Sequence, residues 1–159
     1  MTVYHGSIDI ILTPDISFSK SFLDFGPGFY VTTYKNQAER WALRKSLRAN
    51  KPAIVSLYKM SIDFEDLQVL RFDTEDEDWL DFVCACRKGK EIQKKYDLII
   101  GNVANDDVFK TVDMYFRGLW DKERTLKEIK YYKSNDQMCF ASQKAIKKLL
   151  TFNDSYTVG

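Results

Sequence analysis

Short β-rich runs, none long, are scattered over the whole chain among helical patterns too few and too unevenly spread for a regular βαβ repeat. The β-formers cluster at Thr2-Val3-Tyr4-His5, Phe29-Tyr30-Val31-Thr32-Thr33, Ala53 to Tyr58, Leu67 to Phe72, Tyr96 to Val103, Gln137 to Phe140 and Phe152 to Val158. Helical spacing runs from about Asn36 to Ala49, where Ala38, Trp41 and Ala42 share a face, and behind residue 74, where Trp79, Phe82, Val83 and Cys86 form a stripe. Three more helices are expected over Asp106 to Arg117, Glu123 to Tyr132 and Ser142 to Leu150. Thr74-Glu75-Asp76-Glu77 reads as a capping box, with Thr74 at the cap. The pattern predicts an α+β fold with mostly antiparallel sheets.

No linker, repeat or low-complexity tract divides the 159 residues, which predicts one domain over 1–159. With 45% hydrophobic and 30% charged residues, the chain has the composition of a folded globular protein. Lys and Arg number 24 against 23 Asp and Glu, a net charge of +1. That balance argues against broad electrostatic coating of nucleic acid but leaves room for a local basic patch. No apolar run approaches bilayer length, and no basic segment followed by an apolar stretch opens the chain, so neither a membrane span nor a signal peptide is expected. Three Cys without disulfide-like spacing point to a reducing compartment, the cytoplasm by default.

The single histidine, His5, sets a tight limit on chemistry. A zinc site with two His ligands is excluded, and any Ser-His or Cys-His pair has to use His5. Cys84 and Cys86 stand two apart on a helix, so their sulfurs diverge, and packing is the simpler account. No metal is expected. Arg44, Lys45, Arg48 and Lys51 form one basic cluster, and Lys144, Lys147 and Lys148 another. Both read first as solvated helix faces and second as phosphate-binding edges. Gly6 follows His5, where a ligand could approach the backbone closely.

Tyr4-His5-Gly6-Ser7, then Asp24-Phe25-Gly26-Pro27-Gly28-Phe29-Tyr30-Val31-Thr32-Thr33, then Gln37-Ala38-Glu39-Arg40-Trp41-Ala42 resembles the ADP-ribosyltransferase superfamily in its His-Tyr-Glu branch, home of diphtheria toxin and the poly(ADP-ribose) polymerases. The chain is similar, nearly end to end, to an uncharacterised bacterial domain family of that superfamily. Residues 78–83, 96–106 and 135–140 fit it as well. The resemblance implies a split sandwich of two small sheets with NAD as substrate in the crevice between them. It implies that His5 bonds the nicotinamide-side ribose, that Gly6 with Ser7 adjoins the carboxamide, and that Tyr30 and Trp41 hold the nicotinamide ring. The late-strand Glu of the superfamily is Gln137 here, with Asp136 beside it. Adjacent strand residues face opposite ways, so both cannot enter one cleft without a bulge.

The activity so implied is transfer of a single ADP-ribose to a macromolecule, protein or nucleic acid, with release of nicotinamide; the Glu tied to polymer growth is absent. Bacterial relatives act as toxins, which implies a toxin role and an antitoxin protein as partner. Two other readings stay open: a weakened NAD- or ADP-ribose-binding module, and a non-enzymatic interaction domain whose aromatics are core.

Overall fold

The computed structural model describes residues 1–18, 24–104, 106–130 and 135–159. It is α+β, with a three-stranded and a four-stranded sheet. The strands are β1 (Thr2–Ser7), β2 (Phe29–Val31), β3 (Ile54–Met60), β4 (Val69–Arg71), β5 (Leu98–Asn102), β6 (Asp136–Phe140) and β7 (Leu150–Thr157). The helices are α1 (Lys35–Ala49), α2 (Glu77–Arg87), α3 (Asp106–Phe116), α4 (Lys122–Ile129) and α5 (Gln143–Leu149). One sheet has the order β1-β3-β7 and the other β2-β6-β5-β4. Every pairing is antiparallel except β4 with β5.

Side-chain alternation divides the second sheet between two cores. Along β6, Met138 and Phe140 join Val3, Tyr58 and Leu149 between the sheets, while Cys139 points the other way, toward Trp79, Leu80 and Val112 of α2 and α3. A third cluster seats α1 on the first sheet through Ala38, Ala42 and Val55. The layers are therefore α1, first sheet, second sheet, then α2 to α4. One main-chain bridge ties the sheets. Tyr4 N–H donates to the Thr32 carbonyl at 2.8 Å, and Thr32 N–H donates back to Tyr4 at 3.0 Å.

The closeness of α1 to β1 depends on Gly6. A Cβ there would stand 2.0 Å from the Ala38 carbonyl oxygen and 2.7 Å from the Ala42 nitrogen, so no other residue fits without moving the helix. The space that the sequence reading gave to a ligand is filled by α1.

Most element bounds agree with the sequence reading to within a few residues. The exception at the start of α2 has a clear reason. Asp76, not Thr74, is the cap, its carboxylate accepting from Trp79 N–H at 3.0 Å. An ionised cap satisfies an orphan N–H and meets the positive helix end as well, which a threonine hydroxyl does not. The stripe behind the cap packs as expected, with Trp79, Val83 and Cys86 buried and Phe82 half-buried. The expected end of α4 at Tyr132, and Asn105 before α3, lie outside the described residues. Among the described residues no helix is long and apolar enough to cross a membrane.

Candidate functional site

The edges of the two sheets and the inner face of α1 enclose a cleft of about 1410 Å³. His5 and Ser7 reach it from β1, Tyr30 from β2, Gln137 from β6 and Trp41 from α1. Five of the six residues that the resemblance marks thus meet on one surface. Gly6, the sixth, lies under α1, and its carbonyl accepts from Lys45 Nζ at 2.8 Å.

His5 is nearly buried, its ring stacked on Phe29 with centroids 4.2 Å apart. Its Nδ1 lies 2.6 Å from the Tyr30 carbonyl oxygen. A carbonyl can only accept, so this bond assigns the proton to Nδ1 and leaves Nε2 as an acceptor. Burial, and secondarily the Lys45 cation, bring the imidazole pKa down to about 3 against the opposing pull of the Tyr30 bond. At neutral pH the ring is uncharged, a hydrogen-bond acceptor suited to a hydroxyl.

Tyr30 presents its ring to the cleft while its hydroxyl is tied into the preceding loop. Oη donates to the Gly26 carbonyl at 2.5 Å and accepts from Phe25 N–H at 3.1 Å. The phenol is pushed well up by burial first, then by Cys139 and Asp24, so it stays protonated. Gly26 sits at φ +79°, a backbone state that glycine adopts freely. Gly28 faces Cys139, where a Cβ would come within 2.2 Å of the sulfur. Gly26 is thus required by its backbone conformation and by the Gln93 side chain beside it, and Gly28 by its contact with Cys139.

The strand register separates Gln137 from Asp136. Gln137 enters the cleft, with Nε2 donating to Asp24 Oδ2 at 3.2 Å and to the Asn102 carbonyl at 3.5 Å. Asp136 turns to the opposite face and clamps the end of β2, accepting from Thr33 N–H and the Thr32 hydroxyl, both at 2.9 Å, and from the Thr33 hydroxyl at 2.6 Å. No bulge interrupts β6 at this point, so the alternation rule holds. Asp136 braces the Thr32 bridge and does not face the cleft.

Sequence reasoning did not assign three residues that shape the site. Asp24 lies beside Gln137, with Oδ1 accepting from Arg87 Nη2 at 2.6 Å and Nε at 3.2 Å, and Oδ2 from Ala104 N–H at 3.1 Å. Its signal was present as the residue that opens Asp-Phe-Gly-Pro-Gly. Arg87 gave none beyond a cation in the last turn of a helix, where the dipole already accounts for it. Buried Gln37 accepts from Arg40 Nη2 at 2.9 Å and from Asn135 Nδ2 at 3.1 Å, joining α1 to the start of β6. The three cysteines are buried free thiols. Burial raises Cys84 and pushes Cys86 and Cys139 up to about 12, so none is a thiolate at neutral pH.

A family described as "Protein of unknown function (DUF3990)" matches residues 1–152. The chain belongs to this family. The matched stretch takes in all of the cleft residues, from His5 to Gln137, and every element except the end of β7. No curated protein sequence matches the chain.

Proposed function

We propose that this member of the DUF3990 family is a mono-ADP-ribosyltransferase that uses NAD and releases nicotinamide. The observation that carries the reading is the convergence of His5, Tyr30 and Gln137 on one cleft, from strands of two different sheets. These are the residues in which the sequence resembles the His-Tyr-Glu ADP-ribosyltransferases, and they lie far apart in the chain.

In this reading Tyr30 and Trp41 take the flat cationic nicotinamide against their ring faces, an attraction of cation and π-system. His5 Nε2 accepts a hydroxyl proton of the adjoining ribose. The reaction breaks the bond between ribose C1′ and the nicotinamide nitrogen, and the bonding pair leaves with nicotinamide. An oxocarbenium-like ribosyl cation develops, and a lone pair of the acceptor closes on C1′ as the acceptor loses its proton. Gln137 Oε1 offers a dipole to that charge. Its amide nitrogen is already engaged by Asp24 and Asn102, which fixes the amide orientation. Preorganised dipoles of this kind cost no reorganisation during reaction.

A second reading has its own observation. The carboxylate nearest Gln137, that of Asp24, is neutralised by Arg87. A cleft with this arrangement binds NAD or ADP-ribose yet stabilises a ribosyl cation weakly. The deciding experiment incubates the protein with NAD labelled in the adenylate part and a whole-cell lysate, follows nicotinamide release, and then treats the product with protease or nuclease. Transfer predicts nicotinamide release together with label on a macromolecule. A rise in melting temperature with NAD, and no release, selects the binding module. Absence of both effects removes NAD from the function.

A further inference from the structure

Helix α1 carries Lys35, Arg40, Arg44, Lys45 and Arg48 against one acid, Glu39, a net +4 on 15 residues. The whole chain has +1, so the other residues together carry −3. Among the described helices α1 carries the most net positive charge, with α5 next at +3 from Lys144, Lys147 and Lys148. Lys35 pairs with Glu39 at 3.9 Å, and Lys45 donates to the Gly6 carbonyl. Arg40, Arg44 and Arg48 are exposed, and all three line the cleft.

Their spacing of four residues puts the three arginines on one stripe, about 6 Å apart per step and about 12 Å from first to last. The cleft volume of about 1410 Å³ exceeds the roughly 300–1,000 Å³ usual for a small-molecule site. The stripe runs along its wall. An evenly repeated row of guanidinium forks matches a ligand with evenly repeated anions, and phosphate oxygens fit the fork in pairs. Asp9 and Asp15, on the loop that also lines the cleft, repel such a ligand and keep it to the α1 side. A duplex is read by an element that protrudes into a groove, whereas these arginines stand on the wall of a concavity, which a flexible single strand can enter.

We propose that the α1 wall is a track for the sugar–phosphate backbone of a single-stranded nucleic acid, with successive phosphates on Arg40, Arg44 and Arg48. The track goes beyond the transferase reading and does not rest on it, since it is tested without NAD.

The test is fluorescence anisotropy of the full chain with labelled oligothymidylate and oligouridylate of about 12 nucleotides, at salt concentrations from about 50 to about 200 mM. Three phosphate contacts predict a log–log salt slope near about −2, a loss of affinity of roughly 16-fold over that range. Arg48→Gln and Arg40→Gln should each flatten the slope by about 0.7. Arg48→Gln is the decisive variant, because Arg40 also holds Gln37. Lys147→Gln, in the exposed basic cluster of α5, should leave the slope as it is. Absence of binding at the lowest salt overturns the proposal. So does a slope that Arg48→Gln leaves unchanged, or equal displacement by polyglutamate at matched charge, which would make the partner an acidic protein segment. Failure here leaves the NAD reading standing, and failure of NAD to bind leaves the track standing.

Discussion

Gln137 Nε2 donates to Asp24 Oδ2 at 3.2 Å, while the other oxygen of Asp24 accepts from Arg87. The amide of β6, the acid of the loop before β2 and the cation at the end of α2 thus form one chain of contacts along the cleft. Asp24 and Arg87 are both nearly buried, at 13% and 12% side-chain exposure. Asp24→Asn should leave the Arg87 charge without its partner and cost about 3–5 kcal/mol, as for other buried pairs broken on one side. Adding Arg87→Met should recover much of that loss in urea denaturation. An equal loss in the double variant would show that the pair matters through packing alone.

Replacing Gln137 by Glu brings a second carboxylate to within hydrogen-bond distance of Asp24. Like charges raise the pKa of one member of such a pair in the folded state, so the fold binds a proton that the unfolded chain has already released. The Gln137→Glu variant should therefore be less stable relative to wild type at pH 7 than at pH 5, by about 1–3 kcal/mol. Denaturation at both pH values checks this. A pH-independent difference would place the two groups farther apart than the wild-type contact implies. For the transferase reading, Gln137→Ala should slow nicotinamide release.

Burial brings the His5 imidazole down to about 3 in the fold, below its ordinary value of 6.5. Between these values the unfolded chain takes up a proton that the fold refuses, so stability rises with pH across the window. The contribution is complete above about pH 6.5 and is lost as pH falls; at pH 5 the loss should be about 2 kcal/mol. His5→Gln lacks this titration, and its urea midpoint should change less between pH 7 and pH 5. Parallel midpoints for the two proteins would show that His5 is solvated in the fold.

Gly6→Ala and Gly118→Ala separate two uses of glycine. At Gly6 the new methyl meets the α1 backbone, and the helix has to shift, at about 1–3 kcal/mol or more. At Gly118, φ is +76° with open space around it, so only the backbone strain of about 1–2 kcal/mol applies. In the transferase reading Gly6→Ala should also weaken NAD binding, because the displaced helix carries Trp41. Loss of stability at Gly6 with unchanged NAD affinity would separate Trp41 from the nicotinamide platform.

The strands and helices were legible because their signals are local. The period of the Trp79, Val83 and Cys86 stripe survives in the fold, and so does the alternation that sends Gln137 and Asp136 to opposite faces. Contacts between distant segments were not legible. Asp24 and Arg87 are 63 positions apart, and nothing in either neighbourhood announces the other. Gly6 shows the same limit in another form. Its missing side chain signals a close approach, but the sequence does not say whether a ligand or a helix makes it.

The Tyr4–Thr32 bridge is made of main-chain atoms alone. Peptide groups are common to almost all residues, so the bridge places no direct demand on the side chains at these two positions. The alignment of His5, one residue after Tyr4, with Tyr30, two residues before Thr32, is thereby uncoupled from what the cleft residues are. A chain with this frame can change the residue at position 137 while the bridge that sets the two sheets stays in place. Shape and reactivity can drift apart in such a protein, and resemblance of outline is no measure of turnover.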